Sequence, residues 1–68
     1  MVEPFEYEIR VEGQLDAHWS DWFCGLSVTE VGENETLIRG EVADQAALRG
    51  ILEKIWNLNL ALVSVHRL

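Results

Sequence analysis

His18, Asp21 and Cys24 sit within one stretch of seven residues, and side chains of these kinds carry protons, act as nucleophiles and bind metals. His18 and Asp21 are three apart, so on a helix they can touch. Cys24 is six residues beyond His18, about 120° away around a helix that turns about 100° per residue. A Cys–His nucleophilic pair needs hydrogen-bond reach, which that spacing does not supply. A metal would need a third and a fourth ligand from elsewhere in the chain. The plainer reading is a surface His–Asp pair beside an inert small cysteine. His66 reads as a solvated imidazole facing outward from the last predicted strand. Gly32-Glu33-Asn34-Glu35 is acidic, but it is far shorter than a calcium loop of about 12 residues and reads as a charged hairpin turn. Gly13, Gly25, Gly32, Gly40 and Gly50 never cluster into a phosphate-cradling pattern. No catalytic residue, metal ligand or cofactor is assigned on these grounds.

Whatever these residues do, a small scaffold must position them. The 68 residues make a single domain spanning 1–68, with 49% apolar and 25% charged residues, an ordinary globular balance. Twelve acids against five bases give a net charge of −7, which excludes a bare nucleic-acid backbone as partner and leaves room for a basic protein. Residues 1–35 carry nine acids and one base, whereas residues 36–68 carry three acids and four bases. The single cysteine rules out an intrachain disulfide framework. No apolar run reaches the roughly 18 residues that span a bilayer, and no basic-then-apolar leader opens the chain. The expectation is a cytoplasmic protein with no membrane partner.

Phe5 to Glu12 alternates apolar and charged residues, the period of a strand with one buried face. After Gly13, Asp16 caps a short helix ending at Gly25, with Trp19, Trp22, Phe23 and Leu26 at spacings of three and four. Leu26–Val31 and Thr36–Val42 flank a polar loop and read as a hairpin. Asp44 caps a second helix whose buried stripe is Leu48, Ile51, Leu52, Ile55 and Leu58, and Asn59 takes the left-handed position that ends it. Leu60–Leu68 is a last strand, with Val63 and Val65 inward and Leu62, Ser64 and His66 outward. The expected core is Tyr7, Ile9, Val11, Trp19, Phe23, Val28, Ile38, Val42, Leu48, Ile51, Leu52, Ile55 and Val63. Strand, helix, strand, strand, helix, strand predicts an α+β, ferredoxin-like βαββαβ sandwich. Its four-stranded antiparallel sheet would have the order 4-1-3-2, with two helices on one face.

From Tyr7 to Val65 the chain resembles a group of very short, uncharacterised prokaryotic proteins. The residues that carry the likeness are Tyr7-Glu8-Ile9-Arg10-Val11, Gly13, Leu15-Asp16, Trp19, Trp22-Phe23 and Gly25-Leu26. Asp44-Gln45-Ala46-Ala47-Leu48, Gly50, Leu60, Leu62 and Ser64-Val65 continue it. The resemblance implies the same fold and transfers no catalytic residue. Asn59 departs from it, since a glycine is expected there.

Known users of this fold fit poorly. The open sheet face would carry Glu6, Glu8, Arg10 and Glu12 where an RNA reader needs stacking aromatics. Metallochaperones need a Cys-x-x-Cys after the first strand. Tautomerases of this fold need a free N-terminal proline, whereas here Val2 follows Met1 and Pro4 is the sole proline. The expectation is therefore a small non-enzymatic interaction or regulatory module that self-associates as a homodimer. The alternative is a small-molecule-sensing, ACT-like module with its pocket at a dimer interface, and a small dimeric enzyme comes third. Leu37 and Leu62 on the open sheet face are candidate interface residues, as are the small Ala46 and Gly50 on the second helix. Trp19, Trp22 and Trp56 form a candidate aromatic patch for a ligand or partner. A pocket above about 300 Å³ lined by those three rings would favour ligand sensing.

Overall fold

Alternation makes Phe5–Glu12 strand β1, and hairpin chemistry makes β2 (Ser27–Val31) and β3 (Glu35–Val42) around a turn where Gly32 takes φ +65°. Helix α1 (Gln45–Asn57) and β4 (Ala61–Arg67) follow in the computed structural model, which describes residues 4–68. Met1 and Val2, on which the tautomerase comparison turned, lie outside the described residues. The sheet runs β2-β3-β1-β4, and every neighbouring pair is antiparallel.

One α-helix covers this sheet, so the architecture is not the two-helix ferredoxin-like βαββαβ sandwich that the sequence predicts. Where a first helix is expected, Ala17–Ser20 forms a single 3-10 turn and the chain continues as turns to Gly25. The cause is local. Trp, His, Ser, Asp, Phe and Cys are indifferent helix formers, and fewer than ten such residues do not offset the cost of helix nucleation. The Asp16 cap does form, its carboxylate accepting from the His18 N–H at 3.0 Å. The segment stops one residue before the expected glycine. Cys24 takes the left-handed position at φ +62°, the Cys24 N–H donates to Asp21 O and the Gly25 N–H to Ser20 O.

Helix α1 follows the prediction more closely. The Asp44 carboxylate accepts from the Ala47 N–H at 2.8 Å. At the other end the Asn59 N–H bonds Trp56 O and the Leu60 N–H bonds Ile55 O, with Asn59 at φ +60°. That is the Schellman pattern, with asparagine where glycine is commonest.

Ile9, Val11, Phe23, Ile38, Val42, Ile51 and Ile55 form the deepest layer, joined by Tyr7 and Val28. Trp19, Leu48 and Leu52 pack against it only half-buried. Leu15 and Leu26, both outside regular elements, join the core although the pattern did not select them. Val63 does not: it is 45% exposed. A β-bulge explains the error. The register sets Arg10 opposite Ser64 but Val11 opposite Leu62, so Val63 is the extra residue and the alternation changes phase there. Directly opposed residues share a face, so Leu62 lies on the helix side with Val11, and not outward as expected.

Candidate functional site

The sheet face without a helix is held by cross-strand ion pairs. Arg39 reaches Glu6 at 2.9 Å and Glu8 at 3.4 Å, and Arg10 reaches Glu35 at 3.2 Å. The hydrogen bond that Arg39 donates to Glu6, followed by the Glu6 charge, holds the guanidinium pKa above its ordinary value. Each cation of this face is thus engaged in pairing, Arg10 through a single nitrogen and Glu8 through a single oxygen, while Glu12 and Glu41 share the face. A depression of about 270 Å³ opens between Glu8, Arg10, Leu37, Ser64, His66 and Leu68. The register explains why they meet: Glu8 faces His66 across the strands, and Arg10 lies between Leu37 and Ser64. A carboxylate, a guanidinium, an imidazole and a hydroxyl beside two leucines suit a small polar molecule with an apolar end. Leu62 is not among them, so the expected Leu37–Leu62 pairing on one face is not made.

The tryptophans also separate. Trp19 and Trp22 meet edge to face, with centroids 6.4 Å apart. Bonds of the 3-10 type continue past Ser20, from Phe23 N–H to Ser20 O and Cys24 N–H to Asp21 O, and such turns bring residues three apart onto one side. The Lys54 ammonium lies 5.3 Å from the Trp22 ring centroid and donates to Trp22 O at 3.0 Å, which ties α1 to the 17–25 segment. Trp56 is two residues further along α1, about 200° around it, and so projects from the opposite flank. Trp56 is 54% exposed. The three rings form no common patch, and the depression described above contains none of them.

The residues left uncovered collect at the β4 edge. Of the six exposed large apolar side chains among the described residues, Leu62, Val63, Val65 and Leu68 lie on or directly after β4, Trp56 lies on α1 and Trp22 in the 17–25 segment. Leu62, Val63, Ser64 and Val65 include no acid and no proline. Strand β4 is an outer strand, bonded only to β1.

A match to a domain of unknown function, DUF8691, spans residues 6–66. The chain belongs to that family. No curated protein and no solved structure matches it. The matched span of this DUF8691 member takes in β1 from Glu6 onward, the whole helix-covered core and β4 as far as His66. Trp56, Leu62, Val63 and Val65 fall inside it, and Leu68 falls just beyond.

The residues with reactive side chains stay apart. His18 pairs with Asp16 at 3.2 Å, not with Asp21, and that ring hydrogen bond, followed by the His18 backbone N–H, lowers the Asp16 pKa. Cys24 is free and exposed in its turn. Among the described residues no three His, Cys, Asp or Glu side chains are placed to hold a metal ion. Ala46 is exposed and Gly50 half-buried, and nothing lies within 4 Å of where a Gly50 Cβ would sit, so no contact inside the chain requires that glycine. Among the described residues no helix is long and apolar enough to cross a membrane. Sequence reasoning misses the β4 edge because it turns Val63 and Val65 inward and sets Leu62 on the open sheet face with Leu37. Their position on an outer strand was the available signal.

Proposed function

We propose that this DUF8691 member is a small non-enzymatic interaction module that acts as a homodimer in the cytoplasm. One observation carries the reading: four of the six exposed large apolar side chains among the described residues lie on or directly after β4. Single exposed apolar residues are normal, whereas a contiguous group rimmed by charge marks an association surface. The free, exposed Cys24 suits a reducing compartment. Sedimentation equilibrium at micromolar concentration and moderate salt tests the reading. The expected mass is twice the 7.8 kDa of one chain, and a single 7.8 kDa species overturns it.

A small-molecule-sensing module is the second reading, supported by the depression between Glu8, Arg10, Leu37, Ser64, His66 and Leu68. Arg10 offers an anchor for a carboxylate, Glu8 one for an ammonium group, and the leucines a short apolar wall. A thermal-shift screen of free amino acids tests it. The expected result is a raised Tm that is lost in Arg10→Ala; no rise with any of them removes the reading.

A further inference from the structure

We propose that two copies of the chain join antiparallel along the free edge of β4. The product is one continuous sheet with the order β2-β3-β1-β4-β4-β1-β3-β2. This rests on the self-association proposed above and adds to it a surface and a geometry.

The backbone supplies the first argument. The Leu68 N–H donates to Glu6 O at 2.8 Å, and the register continues as Arg67 opposite Tyr7, His66 opposite Glu8 and Val65 opposite Ile9. In an antiparallel pair, alternate residues turn both N–H and C=O to the same side. Leu68, His66 and Ser64 therefore face β1, and Arg67 and Val65 turn theirs away from the sheet. An edge of this kind, flanked by apolar side chains, is a template for another strand. The other outer strand, β2, is shorter and carries Glu30.

Charge selects the occupant. A chain of net charge −7 must avoid setting its own carboxylates against one another. Face-to-face pairing of the open sheet would crowd Glu6, Glu8, Glu12, Glu35 and Glu41 and their copies into the gap between sheets only about 10 Å apart, with the carboxylates themselves well inside that distance. Pairing through β4, which has no acid, puts the two β1 strands three strand spacings apart, about 14 Å. That exceeds the screening length of about 8 Å at physiological salt. The cation on this edge, Arg67, is folded back over the Phe5 ring at 4.2 Å. The antiparallel arrangement is isologous, so each edge satisfies the other and the assembly closes at two. The bulge at Val63 twists the strand beyond Ser64 and confines the ladder to its regular C-terminal half.

Amide hydrogen exchange at dimeric and at dilute concentration tests the geometry. The Val65 and Arg67 amides should slow at least about tenfold in the dimer, because they gain partners only there. Val65→Pro removes an outward donor and keeps every bond to β1, so it should stay folded by circular dichroism and sediment at 7.8 kDa. Val65→Thr, which keeps the donor, should remain dimeric. A dimer whose Val65 and Arg67 amides exchange freely, or a folded Val65→Pro that stays dimeric, overturns the edge pairing and leaves self-association standing. A wild-type chain that is monomeric throughout overturns both. If Val65→Pro does not fold, the exchange result decides.

Discussion

Two different devices cover the same face of the sheet. One is α1, in contact with β3 and β4, thirteen residues long, capped at both ends and anchored by Ile51 and Ile55. Over β2 and β3 lies the segment from Gly13 to Leu26, which has one 3-10 turn and no α-helix. The helix spreads its packing along a periodic stripe, so Leu48, Leu52 and Leu58 can share the load. The irregular segment instead depends on a few points: Leu15, Phe23 and Leu26 in the core, and one threonine. Thr36 Oγ1 is fully buried, donates to Gly13 O at 2.7 Å and accepts from the Leu15 N–H at 3.0 Å. A cover without its own periodicity is held by the strand beneath it. In so small a domain this is sufficient, but each point then carries more.

Substitutions on the two sides can break that contrast. Phe23→Ala should have the largest effect, about 3–5 kcal/mol in urea denaturation, because no neighbour in its segment can replace the ring. Ile55→Ala should cost about 2–5 kcal/mol and no more than Phe23→Ala. A loss below about 1 kcal/mol for Ile55→Ala would mean that the helix is out of phase with the sheet. Thr36→Val keeps the shape but strands a buried N–H and C=O, an expected cost of about 2 kcal/mol, with faster exchange of the Leu15 amide. Lys54→Ala cuts the link between the two covers at an exposed position, so it should cost less than about 1 kcal/mol and shift the Trp22 ring resonances. The smallest effects should be gains. Cys24→Gly and Asn59→Gly relieve left-handed backbone at the two corresponding turn ends, each by up to about 1 kcal/mol in thermal melts. Cys24→Gly should gain more, since asparagine tolerates that conformation and cysteine does not.

The same contrast shows what the amino-acid sequence makes legible. Alternation from Phe5 to Glu12 has one solution, and thirteen residues between Asp44 and Leu58 are long enough for the 3.6-residue period to declare itself. Between Asp16 and Gly25 it cannot. Trp19, Trp22 and Phe23 satisfy a period of three as well as one of 3.6, so a 3-10 turn and a short helix present the same spacing. In β4 the failure has another source. Leu60, Leu62, Val63 and Val65 are apolar on both sides of the strand, and a bulge leaves no mark in such a run. The candidate surface shares that error: unbroken alternation puts Leu62 on the charged face, whereas the register sets it opposite Val11.

The bulge at Val63 has a meaning for comparative sequence work as well. Removing one residue from inside a strand normally inverts every side chain beyond it and is not tolerated. Here deletion of Val63 would leave Val11 opposite Leu62 and Arg10 opposite Ser64, with alternation intact through Arg67. Strand β4 can therefore gain or lose this one position without a frame error. A gap of one residue between Leu62 and Ser64 in a relative is an inherited length variant, to be aligned as such and not forced shut.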